Sequence, residues 1–289
     1  MRFRWRVCHS SRLIDALKER MKGSFSARLL KRALESNICR VNGRIERFAS
    51  RAVHEGDIVE LEADWESNVN AKLSYSIIYE DDHLLVLDKP AGAVCCDQKY
   101  QAILRRPCWL AHRLDKDTTG VLLFGKTQNV VEELQQCFEN RTIGKSYLTF
   151  ADGAIDQAEG IIESYLVKKK SFQGQTIWGP SSCGRGLYAK TSWRRLACQG
   201  DVSLLHCQPY TGRTHQIRAH LAQIGHPILI DRQYASSFRS SIFAARPLLH
   251  AYRLQLEWRG RTFQFEAPLP KDFETMMAQS HFSKDQISI

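Results

Sequence analysis

The hydrophobic and polar positions of this chain divide into two unlike stretches. The first, residues 1–62, is polar and built from short elements. Ser10 or Ser11 is placed to cap a helix running to about Met21. Leu29, Leu30, Ala33 and Leu34 recur at helical spacing and predict a second helix over residues 26–36, with Arg28, Lys31, Arg32 and Glu35 on its other side. Asn42-Gly43, ahead of Arg44, predicts a tight hairpin. Glu55-Gly56-Asp57 then turns into the alternating strand 58–62. Residues 63–72, with Asp64, Glu66, Ser67, Asn68 and Asn70, read as a linker.

From residue 73 the pattern changes to apolar runs separated by turns. Leu73 to Tyr79 and Leu84 to Leu87 predict strands around a turn at Glu80-Asp81-Asp82. Val121 to Phe124 predicts another buried strand. Residues 127–140 then follow helical spacing, with Val130, Val131, Leu134 and Phe138 inward. Lys145-Ser146-Tyr147-Leu148 starts a strand. Residues 160–208 read as a meander broken by Gly174, Gly179-Pro180, Gly184 and Gly186. Lys168-Lys169-Lys170 falls near a hairpin end, where a solvated run is the default and an RNA contact the second reading. Ile217, Leu221 and Ile224 predict a helix after Gly212, and strands at 253–258 and 262–266 close the domain. This gives a second domain over 73–280 and a frayed tail over 281–289.

Charge sharpens this division. The chain is basic, with a net charge of +10 and a pI near 9.2. Residues 1–60 hold 14 Lys and Arg against 7 Asp and Glu, so most of the excess lies in the first fifth. A polyanionic partner is implied, nucleic acid first and an anionic membrane second, against the plain reading of a solvated basic surface. Nine scattered cysteines with no Cys-x-x-Cys argue against zinc or a disulfide framework and for a reducing, cytoplasmic setting. No apolar run reaches the ~18 residues of a membrane helix.

Two segments concentrate ionisable groups. Ala111-His112-Arg113-Leu114-Asp115-Lys116-Asp117-Thr118-Thr119-Gly120 sets a carboxylate between cations just before a buried strand. Those cations favour an ionised Asp115. On chemistry alone a solvated turn and a reactive site weigh about equally. Tyr210-Thr211-Gly212-Arg213-Thr214-His215-Gln216-Ile217-Arg218-Ala219-His220 enters the predicted helix. His215 and His220 are five apart, poor spacing for two metal ligands on one helix face, so no metal is expected. A Gly-rich phosphate loop is absent too, and no cofactor is expected.

The first segment resembles the signature of the RluA family of RNA pseudouridine synthases, His-Arg-Leu-Asp followed by two variable residues and Thr-Ser-Gly, with Thr119 in place of Ser. The resemblance continues in order through Lys89-Pro90-Ala91-Gly92, Lys145-Ser146-Tyr147, Gly212 to His220, Asp231-Arg232-Gln233-Tyr234 and Leu248-Leu249-His250-Ala251. Cys95-Cys96-Asp97 departs from the His-Pro-like element common there. The first 62 residues resemble, less specifically, a small RNA-binding domain shared by a ribosomal protein and RNA-modifying enzymes. The resemblance implies an α+β chain: a small helix–helix–β RNA-binding domain, then a mixed, mainly antiparallel β-sheet catalytic domain of pseudouridine synthase type with flanking helices. It also implies isomerisation of uridine in structured RNA, large-subunit ribosomal RNA ahead of transfer RNA; the chain is expected to act as a monomer, with neither metal nor membrane as partner. By resemblance Asp115 is the essential carboxylate, Tyr147 stacks on the flipped uracil, Arg218 is the ion-pair partner, Arg113 braces the vacated space and Leu249 is an apolar wall. His112, Arg213, Thr214, His215 and Gln216 are expected RNA or loop contacts, with Arg28, Arg32 and Arg44 as RNA contacts of the first domain. The competing readings are a silent ribosome-associated RNA-binding protein and a hydrolase using Asp115 with His112 or His215. The hydrolase lacks a nucleophile elbow or paired carboxylates.

Overall fold

The chain separates into two units, residues 1–73 and 74–289, and among the described residues strands outnumber helices in both. The structure, a computed structural model, describes residues 2–287 apart from 22–26, 28–29, 32–33, 35–38, 47, 63–74, 173–174, 236, 241–243 and 245. Arg28, Arg32, most of the predicted second helix and the predicted linker therefore lie outside the described residues.

In the first unit, β1 (Arg2–Arg6), β3 (Cys39–Val41), β4 (Arg44–Ile45) and β6 (Ile58–Glu62) form a sheet in the order β1-β6-β3-β4. The hairpin turns where expected: Asn42 and Gly43 both take positive φ, at 52° and 76°, as a type I′ turn requires. Helix α1 (Leu13–Arg20) does not use the predicted serine cap. Ser11 pairs with Val53 in the ladder of β2 (Ser11–Arg12) and β5 (Ala52–Val53), so Arg12 becomes the N-cap and makes no side-chain capping bond. Leu13, Leu17, Leu30, Leu34, Val59 and Leu61 share one core.

The second unit is one sheet of eleven strands among the described residues. In chain order these are β7 (Ser76–Glu80), β8 (Leu84–Lys89), β9 (Trp109–Leu110), β10 (Thr119–Gly125), β11 (Gly144–Asp152), β12 (Glu159–Phe172), β13 (Gln175–Pro180), β14 (Leu187–Gln199), β15 (Val202–Pro209), β16 (Leu249–Trp258) and β17 (Arg261–Glu266). The main path runs β13-β12-β14-β15-β11-β16-β10-β8-β7, with β9 beside β10 and β17 beside β16. The pairs are antiparallel except β10 with β16, which run parallel through Thr119–His250 and Gly120–Ala251.

Helices explain the apolar runs. In β8, Leu84 and Val86 pack with Val130 and Leu134 of α3 (Gln128–Glu139), while Leu85 and Leu87 pack with Tyr100 of α2 (Asp97–Leu104). A strand covered on both faces needs no polar alternation. Thr127 caps α3 by accepting from the Val130 N–H at 3.4 Å. Helix α4 (Gln216–Gln223) buries Ile217 and Leu221 against Trp193, Leu205 and Leu249. Helix α5 (Lys271–Gln279) buries Phe273 and Met276 against Leu148 and Phe150.

The stretch before the signature contains α2. One expectation for this unit changes, at the end of the chain. It is not frayed through residue 287: Phe282 and Ile287, the latter on a 3₁₀ turn Lys284–Ile287, are buried in the same cluster as Phe273. Lys168 to Lys170 lie inside β12, at a register shift against β13. Among the described residues no helix is long and apolar enough to cross a membrane.

Candidate active site

The signature loop is held by buried cations that bond its backbone. The Lys89 side chain, fully buried, donates to the carbonyls of Pro90, Lys116 and Thr118 at 3.0, 2.9 and 2.8 Å. Burial pulls its pKa down to about 8, against the pull of Cys95, Asp117 and Asp115. Gly92 N–H also donates to Lys116 O, and Thr118 N–H closes a turn onto Asp115 O. Leu114 N–H donates to the Cys95 sulfur at 3.4 Å. Arg246, 2% exposed, donates to the carbonyls of Asp117 and Leu249 and to Thr119 Oγ1, while its Nε and Nη2 grip both oxygens of Asp272 at 2.7 and 3.0 Å. Thr119 Oγ1 lies 2.9 Å from His250 Nδ1, so the hydroxyl that replaces the usual Ser is fully used. Gly120 has φ +109°, and a Cβ there would lie 2.1 Å from the Ala251 carbonyl oxygen. Only glycine permits the parallel contact that ends the loop.

On this frame Asp115 stands 26% exposed beside Arg218, which comes from a segment 103 residues away. Arg218 Nη1 donates to Asp115 Oδ2 at 3.3 Å. The fork itself is spent elsewhere: Nε and Nη2 reach the two oxygens of Asp231 at 2.6 and 2.8 Å, and Nη2 also contacts Gln233 Oε1. The guanidinium sits 5.1 Å over the Tyr234 ring. Burial opposes its charge, but Asp231 and then Asp115 outweigh that and hold its pKa above the ordinary arginine value. Thus Arg218 meets Asp115 through one N–H, with the two-contact grip reserved for Asp231.

Tyr147 packs against two buried clusters, one holding Leu249 and Cys207 and the other Leu114, Cys95 and Ala251. Burial, then the neighbouring Asp115 and Cys95, push its hydroxyl above the ordinary tyrosine range, so it keeps its proton. His215 Nε2 lies 3.8 Å from Asp115 Oδ2, and its Nδ1 lies 3.1 Å from the Tyr234 hydroxyl. Burial, followed by the Arg218 charge, lowers its pKa. Arg113 and Thr214 are exposed; Arg213 is exposed as well and donates to the Tyr188 carbonyl. Arg44 is exposed on the hairpin of the first unit.

Two expected contacts face inward. His112 Nε2 accepts the Leu123 N–H at 3.1 Å, its ring lies 4.8 Å from that of Phe138, and burial takes its pKa to about 3. A neutral imidazole bracing a strand is not a phosphate ligand. Gln216 is also consumed: Oε1 accepts from Thr211 Oγ1 and Arg213 N–H, and Nε2 donates to Lys190 O and Thr191 Oγ1. It tightens the turn that aims α4.

Sequence reasoning missed Lys89, Cys95, Asp231, Tyr234 and Arg246 as parts of the site. Asp231 and Tyr234 were visible only as a run matching a family pattern, and nothing local marks Arg246 as buried. Among the described residues no group of His, Cys, Asp and Glu could hold a metal ion.

Residues 83–223 match the family model described as RNA pseudouridylate synthase. Ribosomal large subunit pseudouridine synthase C of Vibrio cholerae is 31% identical, over 72% of this chain and 70% of that protein. Ribosomal large subunit pseudouridine synthase D of Pasteurella multocida is 29% identical, over 96% of this chain and 94% of its relative. The solved structure of human RNA pseudouridylate synthase domain containing 4 superposes with a TM-score of 0.60 at 25% identity, over 71% of this chain and 93% of that one.

Proposed function

Since the chain belongs to the RNA pseudouridylate synthase family, we propose that it isomerises uridine to pseudouridine in large-subunit ribosomal RNA, with Asp115 as the reacting carboxylate. The reaction detaches uracil from carbon 1′ of the ribose, turns it and rejoins it through carbon 5. No atom is lost and no electrons are exchanged, so the chain's own side chains suffice. The observation that carries this reading is the meeting of Asp115 with Arg218 across 103 residues, next to the tyrosine of a third segment.

The target uridine must leave its stack to reach a recessed carboxylate. Arg113, exposed and two residues from Asp115, is placed to brace the vacated space. Tyr147 offers its ring to the flipped uracil. Its proton-holding hydroxyl makes it a donor at rest rather than a base. Asp115 then acts at the sugar, as nucleophile at carbon 1′ or as base, and Arg218 fixes the carboxylate that does either. The leaving uracil delocalises its own charge, so the second carboxylate of a glycosidase is not needed. The substrate assignment draws on the relatives that carry a ribosomal large-subunit name. The basic first unit, with Arg44 at its hairpin, is proposed to hold that RNA through its phosphates, and the enzyme is proposed to work as a cytoplasmic monomer.

The test is tritium release from large-subunit ribosomal RNA transcribed with uridine labelled at carbon 5. Wild-type protein should free the label, and Asp115→Asn should lose at least ~10³-fold in single-turnover rate while RNA affinity stays within a few-fold. Turnover of Asp115→Asn within ~10-fold of wild type removes Asp115 from the chemistry. Release from transfer RNA but not from ribosomal RNA redirects the substrate.

A further inference from the structure

Resting on that reading of Asp115, we propose that His215 is a positioning residue: held by Tyr234 as the neutral Nε2–H tautomer, it aims its N–H at Asp115 Oδ2 and, with Arg218, turns Oδ1 toward the ribose. The Trp178 N–H donates to the Tyr234 oxygen at 3.2 Å. With that oxygen already accepting, its own proton is available for His215 Nδ1, 3.1 Å away. A ring that accepts at Nδ1 carries its hydrogen at Nε2. Nε2 is the atom that faces the catalytic carboxylate, at 3.8 Å. That distance is long for a direct bond in the resting site, and such contacts tighten when substrate arrives.

Three further observations fit this role. Among the described residues, both side-chain contacts of Asp115, from Arg218 and from His215, fall on Oδ2. Oδ1 is left as the oxygen that meets the sugar. His215 has a positive φ of 56°, a conformation costing of order 1 kcal/mol for such a residue that clusters where function demands it. The ring is also mostly buried, faced by Arg218, Asp115, Asp231 and Tyr234, an environment suited to a fixed neutral imidazole rather than to a phosphate contact.

The experiment uses the full-length chain and the labelled ribosomal RNA transcript. Nitrogen-15 NMR of histidine-labelled protein should report the Nε2–H tautomer for His215 in wild type and lose it in Tyr234→Phe. His215→Asn tolerates the left-handed backbone but loses reach. It should lower the single-turnover rate by about 10- to 100-fold and leave half-saturating RNA unchanged. His215→Gln, whose amide can reach, should recover part of the rate. Tyr234→Phe should fall by roughly 3- to 10-fold, the loss of one hydrogen bond. An Nδ1–H tautomer in wild type overturns the proposal, as does a His215→Asn variant with normal rate and weakened RNA binding. Should His215→Asn fail to fold, the wild-type tautomer and the Tyr234→Phe rate decide. An inactive Asp115→Asn beside a fully active His215→Asn removes this inference alone. An active Asp115→Asn removes the functional reading beneath it.

Discussion

Two buried arginines serve the signature loop by the same device, and their surroundings separate their tasks. Arg218 and Arg246 each spend Nε and Nη2 on the two oxygens of one aspartate. Each then has N–H groups left for the loop. Arg246 turns its remainder to carbonyls and a threonine hydroxyl, which sets the shape of residues 117–119. Arg218 turns its remainder to a carboxylate, Asp115. The anchoring aspartates differ as well: Asp231 is 1% exposed and Asp272 is 32% exposed. A planar fork gripped on one side is a fixed donor on the other. One such donor shapes a loop and the other orients the carboxylate of Asp115.

The comparison is broken most severely at Arg218. In Arg218→Lys one ammonium cannot fill both Asp231 contacts and still reach Asp115. Single-turnover tritium release should drop by about 10²-fold or more. A near-normal rate would mean that the Asp115 contact is incidental.

Arg246→Lys should show the opposite balance. Its lost bonds are to backbone, to the Thr119 hydroxyl and to a carboxylate only one-third exposed, so the main effect should be on stability, about 2–4 kcal/mol by denaturant unfolding. At a temperature where the variant is folded, the rate should stay within about 10-fold of wild type. A larger rate loss with unchanged stability would place Arg246 beside Arg218 in function.

The smallest effect concerns His250, which accepts from Thr119 within the Arg246 cluster. Burial takes its pKa to about 4, so the folded state holds it neutral while the unfolded chain binds a proton below about 6.5. The unfolded state therefore binds more protons between pH 6.5 and 4. Stability is fully present above 6.5 and declines as pH falls, by up to about 1.4 kcal/mol per pH unit from this group. His250→Asn should flatten the slope of unfolding free energy against pH by that amount. An unaltered slope would mean that the imidazole is not buried neutral.

Part of the candidate site could be proposed without coordinates. Asp115 and Arg218 stood in runs dense in ionisable groups and Tyr147 was marked only by the family resemblance; the three are neighbours in the structure. Turn chemistry placed the Asn42-Gly43 hairpin, and helical spacing placed α3 within a residue at each end. These features are local: a left-handed turn needs its residue type, and an amphipathic period shows in a window of a dozen positions. His112 and Gln216, expected as RNA or loop contacts, turn out to serve the loops and strands around them, His112 by accepting the Leu123 N–H and Gln216 by bracing the turn before α4. Whether such a residue faces water depends on which distant backbone offers it a partner.

The chemistry available here is set by residue type: one carboxylate between cations, a tyrosine opening a strand, an arginine on a helix, and a basic first unit. How those groups are held is a property of the folded chain. The parallel contact of Gly120 with Ala251 joins the signature to a strand more than a hundred residues later, and α4 carries Arg218 to Asp115. That folding closes Asp231 and Asp272 onto their arginines and buries Lys89 beneath the loop. A buried charge is tolerable only where its partners are already in place. Those partners come from segments with no shared local pattern, so the residues that position Asp115 become recognisable only once the chain has folded around it.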